Sequence, residues 1–276
     1  MSVSNEELPL PCWVDDRVLP RHEALSRVDD SAALEGRAHY TTARVSAGGV
    51  LWLDRHIARL RADALRLQLP AIDERDIRAA FRHLAPAAFG LGDGAIRLQH
   101  SVDSTGRAHL IGIPRSLGDE PDTWSAIRAP LVHEGPQPWS GAKISSQLLY
   151  TIARDATKRA GVREALFADA EGRLIEGAGS NVFVARASGE WATPDLVRGG
   201  VAGLARAVVL DACVAAGGPH PISVCDIGYH ELANASEVVA MNALRGARSV
   251  VALDGRPVGS ADGPLRKQLS AWIGID

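Results

Sequence analysis

In GRLIEGAGSNVF, residues 172–183, the apolar pair Leu174 and Ile175 runs straight into an acid, Glu176. Three small residues and Ser180 follow, then Asn181 and a second apolar run. The pattern reads as strand, tight connection, strand, with a turn upstream at Glu171-Gly172. A glutamate in such a place is ordinarily a solvent-facing residue at a strand end, because Glu is seldom buried without a partner. Other parts of the chain give it a second reading.

Moving outward, EALFADAEGRLIE (164–176) reads as a hairpin and NVFVARASGEWATP (181–194) adds strands. GGVAGLARAVVLDACVAAGG (199–218) is a Gly-rich turn feeding a helix, and SEVVAMNALRGARSVVAL (236–253) gives two strands around NALRG. Upstream stand a strand, AIRAPLVHE (126–134), a loop, GPQPWSGAK (135–143), and a helix from roughly Ser145 to Ala160. Leu148, Leu149, Ile152 and Ala156 form the apolar side of that helix. In the N-terminal half, CWVDDRVL (12–19) reads as a hairpin around Asp15-Asp16, and HYTTARVSAGGVLWL (39–53) as two strands joined at Gly48-Gly49. A period of two sends Tyr40, Thr42 and Arg44 to one face and Thr41, Ala43 and Val45 to the other. Asp54 is expected to cap a helix whose stripe is Ile57, Leu60, Ala64 and Leu67. A second helix spans about Asp73 to Leu84. AIRLQHSV (95–102) and RAHLIGIP (107–114) form another strand pair. The acidic, Gly- and Pro-containing RSLGDEPDTWS (115–125) connects the halves. The expected division is 1–118, a connection at 119–127, and 128–276.

A chain of 276 residues suits two domains. With 46% apolar and 23% charged residues it is an ordinary globular composition. The net charge of −3 and the lack of a Lys/Arg block argue against nucleic acid or an anionic membrane as the main partner. The start, MSVSNEELPLPCWVDD, has neither a basic n-region nor an apolar h-region, and no apolar run approaches the roughly 18 residues of a membrane span. Cys12, Cys213 and Cys225 are odd in number and scattered, which fits neither a disulfide framework nor a zinc site. Together these point to a cytoplasmic protein with reduced thiols and no metal.

Five places hold candidate chemistry, and each has an ordinary explanation too. Lys143 sits between a Gly/Pro loop and the expected helix start; it reads as an exposed lysine or an amine for covalent work. GVAGLAR (200–206) opens a helix whose first amides lack intrahelical partners, so it reads as a turn or an anion site. Arg59, in DRHIARL, is a solvated helical arginine or a phosphate ligand. NALRG (242–246) is a plain turn or a second anion contact. Glu176 is the fifth. Taken together they describe one cofactor: an amine for a Schiff base, cups for a phosphate, and an acid for a pyridinium nitrogen.

These residues carry a resemblance. Arg59 in HIARL, Lys143 in AKISS, Glu176 and Asn181 in EGAGSNVF, and TPDLVRGGVAGLAR resemble the fold-type IV pyridoxal-phosphate enzymes, in order and spacing, from about residue 12 to 256. The resemblance implies a small N-terminal α/β domain and a larger, β-barrel-like C-terminal domain with helices. It implies pyridoxal 5'-phosphate bound covalently to Lys143, with Glu176 on the ring nitrogen. Arg59 and the two turns, including Asn242 and Ala243, would hold the phosphate, as would the amides of Leu204 and Ala205. Val201 would lie against the ring. It also implies a homodimer.

YTTARV, GVAGLAR and NAL look like 4-amino-4-deoxychorismate lyase. Aminotransferases of the family usually carry Glu at the Thr41 position and Thr at the Ala205 position. RAH instead resembles D-amino acid aminotransferase, where Tyr40, Arg107 and His109 would form a carboxylate trap, with Thr42 also facing the substrate. The Arg107/His109 strand end is assigned to the wall supplied by the partner subunit. EGRAHY (35–40) departs from both groups, replacing a Gly-Asp-Gly approach. The leading expectation is an aminotransferase moving an amino group from a D-amino acid, or a small (R)-amine, to an α-keto acid. The lyase is the alternative, and a non-catalytic carrier of the cofactor a third reading.

Overall fold

The computed structural model describes residues 9–25, 27–217 and 221–275. The first eight residues of the stretch read for a leader lie outside the described residues. The chain divides into two compact units: residues 1–118 with 143–146, and residues 119–142 with 147–276. The sequence reading had given 143–146 to the second half.

The first unit is an antiparallel sheet with helices on one face. Its strands are β1 (Cys12–Val14), β2 (Arg17–Leu19), β3 (His39–Ser46), β4 (Gly49–Val50), β5 (Gly94–Val102) and β6 (Ala108–Arg115), in the order β2-β1-β6-β5-β3-β4. A four-residue helix α1 (Ser31–Leu34) precedes β3, and α2 (Leu53–Arg66) and α3 (Glu74–Phe89) lie between β4 and β5. The β3–β4 turn is at Ala47-Gly48, both at positive φ, as a two-residue hairpin requires. Alternation decides the two faces of the sheet. Ala43, Val45, Ile96, Leu98 and Leu110 join Ile57, Leu60, Ile77, Phe81 and Leu84 in one core. Each such side chain stabilises the unit by roughly 1.5–3 kcal/mol when fully buried. The other face follows from register: Tyr40 opposes Gln99, Thr42 opposes Arg97, and Ser101 opposes His109.

The expected helix boundaries shift. Asp54 is not the cap of α2: the capping position is Trp52, at φ 55°, and Asp54 in the first turn pairs with Arg78 at 2.6 Å. Asp73 does cap α3 through its side chain, but that helix runs on to Phe89, past Leu84.

The second unit holds β7 (Thr123–Arg128), α4 (Leu148–Ala160), β8 (Glu164–Ala168), β9 (Leu174–Gly177), β10 (Asn181–Ala185), β11 (Trp191–Pro194), α5 (Leu204–Ala216), β12 (Ile222–Cys225), β13 (Glu237–Asn242), β14 (Gly246–Leu253), β15 (Arg256–Pro257) and α6 (Pro264–Ile273). The sheet runs β12-β11-β10-β13-β14-β7-β8-β9, with β15 on β14. It curls, because its terminal strand β9 also packs against β10 and β11. Strands β8 and β10 are buried along their whole length, which explains why they read as continuous apolar runs: both faces are covered. Leu166, Leu174, Val182 and Val184 face one core, and Phe167, Ile175 and Ala153 of α4 the other.

One expectation fails here for a non-local reason. The helix does not start at Ser145. Ile144 bridges His39, Ser145 N–H donates to Ala38 C=O at 2.8 Å, and Ser146 Oγ donates to Gly36 C=O at 3.1 Å, so 144–146 extends the edge of β3 and α4 begins at Leu148. The expected apolar side of α4 is buried only in part: Leu149 packs against the core of Phe167 and Ile175. Leu148 is 75% exposed and Ile152 is exposed, while Ala153 and Thr157 face inward. The strand expected at 126–134 starts earlier, at Thr123, and ends at Arg128.

Candidate active site

The chain has three lysines, and two of them are plain surface residues: Lys158 pairs with Asp155 at 3.0 Å and Lys267 with Asp262 at 2.9 Å, all exposed. Lys143 differs. Its peptide N–H donates to Asp63 Oδ2 at 3.0 Å, and its C=O accepts the N–H of Tyr40 at 2.9 Å. Its Nζ stands 4.9 Å from the centroid of the Tyr40 ring. The guanidinium of Arg97, from β5, lies 3.5 Å from the same centroid and donates to Gln99 Oε1 at 2.8 Å and Ser145 Oγ at 3.3 Å. Thr42 stands opposite Arg97 in the register. Arg59 projects from α2, half-buried. Burial lowers its pKa, and the negative charge of Asp63 and the Tyr40 phenol oppose that shift.

Thr41 takes no part in this face. It points to the helices and shares a hydrogen bond with His56 Nδ1 of α2. Burial, and then the Arg59 charge, push the His56 pKa down to about 3, so the ring stays neutral at ordinary pH. The residue at position 41 therefore reports how α2 is fastened to β3.

In the second unit, Glu176 is 2% exposed. Tyr150 Oη donates to its Oε1 at 2.7 Å, and the Val201 N–H donates to its Oε2 at 2.9 Å. The Asn181 side-chain amide donates to Glu176 at 3.5 Å and to Val201 C=O at 3.0 Å. Two glycines make this packing possible. A Cβ on Gly200, at φ +84°, would lie 3.2 Å from the Glu176 carboxylate, and one on Gly203 would collide with the Asn181 side-chain oxygen. Helix α5 then starts at Leu204 with Gly203 as its cap and no side-chain cap bond, so its first turn, Leu204 and Ala205, offers amides at the positive end of a helix dipole. The loop is fixed to the chain just before Lys143: Gly141 bridges Val201, and Gly141 N–H donates to Gly200 C=O at 2.8 Å.

The NALRG turn is shaped by its first residue. Asn242 Oδ1 accepts from the amides of Leu244 and Arg245 at 2.9 and 2.8 Å, and Asn242 Nδ2 donates to Gly179 C=O at 3.1 Å. The side chain shapes the turn and ties it to the 177–180 connection, so those two amides do not point at an anion. Ala243 sits half-buried at the tip.

Arg107 and His109, expected in a carboxylate trap, have the following surroundings within one chain. Arg107 lies in the turn before β6, not on the strand, and is exposed; its peptide N–H donates to Asp103 Oδ1 at 3.1 Å. His109 is buried with both ring nitrogens engaged, Nδ1 to Asp15 at 3.0 Å and Nε2 to Asp103 at 3.1 Å. Burial alone would lower its pKa, but the bonds to Asp103 and Asp15 outweigh it and raise the pKa. With both ring nitrogens facing carboxylates, His109 has no ring N–H left to offer a substrate. The guanidinium over the Tyr40 ring is that of Arg97.

Sequence reasoning missed three further groups. Glu164, 4% exposed, accepts from Ser180 Oγ at 2.6 Å and from the Ala165 amide at 2.9 Å, fixing the connection after Glu176; burial raises its pKa. Arg206 is buried against Pro194 C=O at 2.9 Å; burial lowers its pKa while the charges of Asp195 and Glu176 oppose that. Asp63 is the third. An acid opening an apolar strand is the one available signal for Glu164; the other two look like ordinary helix residues.

Each unit holds groups that suit a phosphorylated pyridine aldehyde. In the first, an amine is fixed beside an aromatic ring and a desolvated guanidinium can take a dianion; in the second, an uncapped helix N-terminus can do the same and a buried carboxylate accepts hydrogen bonds from neutral donors. A family model described as "Amino-transferase class IV" matches residues 38–253. The chain is 26% identical to a D-alanine aminotransferase of Bacillus licheniformis, with 93% of each covered. It is similar to the solved 4-amino-4-deoxychorismate lyase of Pseudomonas aeruginosa, at 28% identity and a TM-score of 0.81, covering 94% of this chain and 97% of that one. It shares the fold of a branched-chain aminotransferase from Thermoproteus uzoniensis, with a TM-score of 0.85 at 21% identity, covering 96% and 94%.

Proposed function

The chain belongs to the class IV aminotransferases, enzymes of fold type IV that use pyridoxal 5'-phosphate, and from that premise we propose that it transfers an amino group from a D-amino acid to an α-keto acid. The cofactor, when bound, supplies a carbonyl for the donor amine and an electron-poor ring that accommodates the charge left when the α-proton departs. Lys143 would hold the cofactor covalently, and its Nζ, when free, would hold and move the proton of the substrate's α-carbon. Glu176 keeps the ring nitrogen protonated, and Tyr150, Val201 and Asn181 keep Glu176 oriented. Arg59 and the amides of Leu204 and Ala205 bind the phosphate, with Ala243 as a further contact, and Val201 rests against the ring. Arg97, with Tyr40 and Thr42, reads the α-carboxylate that donor and acceptor both carry.

The observation that supports this reading is the Arg97 guanidinium 3.5 Å from the Tyr40 centroid, on the ring that Lys143 Nζ also overlies. The 26% identity to a D-alanine aminotransferase across 93% of the chain supports the D configuration. A second reading, lyase action on 4-amino-4-deoxychorismate, is supported by the 28% identity to the Pseudomonas aeruginosa lyase and by Ala205 in the first turn of α5. A paired assay separates them: pyruvate from D-alanine plus 2-oxoglutarate, against pyruvate from aminodeoxychorismate alone. Pyruvate only in the second would overturn the transaminase reading. We also propose a homodimer, supported by the exposed Leu148 and Ile152 of α4; sedimentation of a fully active monomer would contradict it.

A further inference from the structure

One carboxylate beside Lys143 has no task in the chemistry above. Asp63 lies on α2 four residues after Arg59, so the two share a helix face. It is 4% exposed, and an acid so deep requires partners. The first is the peptide N–H of Lys143, 3.0 Å from Oδ2. With the Lys143 C=O bonded to the Tyr40 N–H on the other side, the lysine's backbone is fastened to α2 through a side chain and to β3 through the main chain. The second set of partners is electrostatic. Burial raises the Asp63 pKa, while the Lys143 amide bond and the charges of Arg59, Arg66 and Lys143 all favour the ionised form. The carboxylate thus touches the lysine's peptide and acts on the arginine assigned to the phosphate.

We propose that Asp63 is a positioning residue for Lys143 and the counter-charge to Arg59. Its hydrogen bond fixes the peptide from which the amine projects. Its negative charge offsets the Arg59 guanidinium, which moderates the hold on a phosphate and keeps two cations, Arg59 and Lys143, tolerable on one face. This inference rests on reading Lys143 as the cofactor lysine and Arg59 as a phosphate ligand.

The two roles separate by substitution. Asp63→Asn keeps an acceptor oxygen and removes the charge; Asp63→Ala removes both. Two measurements on the full-length protein freed of cofactor need no turnover. Hydrogen exchange at the Lys143 amide should accelerate by on the order of 10-fold in Asp63→Ala, the scale of one lost hydrogen bond, and stay within about threefold of wild type in Asp63→Asn. Calorimetric titration with inorganic phosphate should show roughly 3- to 10-fold tighter binding in Asp63→Asn. In the holoenzyme, Asp63→Ala should lower kcat about 10-fold with KM for the donor nearly unchanged, and Asp63→Asn should restore most of it. Unchanged exchange at Lys143 in a folded Asp63→Ala would overturn the positioning role. Unchanged or weaker phosphate binding in Asp63→Asn would overturn the counter-charge. If Asp63→Ala does not fold, the exchange and phosphate data on Asp63→Asn decide alone. Borohydride labelling of a lysine other than Lys143 would remove the catalytic reading and leave both measurements standing as tests of the contact itself.

Discussion

Glu176 and His109 are both buried, both ionisable, and both singled out by the same family resemblance, yet the fold treats them differently. Glu176 accepts hydrogen bonds from a hydroxyl, a peptide N–H and a side-chain amide, while its charge also acts on the buried Arg206. His109 sits between two carboxylates in direct contact. The first arrangement orients a charge without cancelling it, so it can still pair with a cation brought by a ligand. The second is complete within the protein and fastens the β1–β2 turn to the β5–β6 turn. What a buried charge touches separates a binding role from a structural one more sharply than the residue type does.

The comparison can be broken first at Glu176. Glu176→Gln keeps the hydrogen-bonding shape and removes the charge meant for the ring nitrogen. Turnover should fall by on the order of 10²-fold or more, about 3 kcal/mol in the barrier, with cofactor affinity falling less. Full turnover in the chemical step would mean that the carboxylate is structural.

Arginines sharpen it next. Arg97→Ala should raise KM for an amino-acid donor and lower kcat/KM by about 10- to 100-fold, the loss expected for a charge-assisted hydrogen bond, with a much smaller effect on a small (R)-amine that lacks the carboxylate. Arg107→Ala should change either donor by less than about threefold. The reverse ranking, with Arg107 dominant, would restore the trap expected from the RAH motif and place it in the partner subunit.

The smallest effect concerns His109 itself. Its folded pKa is raised, so its contribution to stability is fully present below the unfolded value of about 6.5 and is lost as pH rises through the folded value. The carboxyl of Asp103 is held well below its ordinary range by its bonds to Thr105 and His109, so its contribution is present above an unfolded pKa of about 3.9 and is lost as pH falls further. The clamp is therefore complete between about pH 4 and 6.5. His109→Gln should lower Tm by more at pH 5.5 than at pH 8.5, while kcat at neutral pH changes little. Equal shifts in Tm at the two pH values would show that His109 is held as a neutral ring.

The residues that sequence alone made legible are those whose chemistry sits in a local pattern. Glu176 ends a strand next to small residues, Gly203 precedes an apolar helix, and the β3 alternation put Tyr40 and Thr42 on one face; in each case neighbours in sequence carry the constraint. What escaped depends on distant partners. Asp15 is 94 residues from His109, so nothing near RAH announces that the histidine is already occupied. Lys143 looks like a helix start because Ser145 and Leu148 fit a helical period, yet pairing with β3, about 100 residues earlier in the chain, holds 144–146 extended. Asp63 carries no signal, since an acid four places after an arginine on an amphipathic helix reads as a solvated pair. Thr41 bonds His56 of α2, 15 residues away, a partner that nothing in YTTARV announces.

The central claim is that Lys143, fastened through its peptide at both ends and standing over Tyr40, is the residue that holds the cofactor. Reduction of the purified, cofactor-loaded protein with borohydride, followed by peptide mapping, tests it most directly. The account predicts a single phosphopyridoxyl label, on the peptide containing Lys143, and its loss in Lys143→Ala, which should still bind the cofactor non-covalently. A stoichiometric label on Lys158 or Lys267 would contradict it.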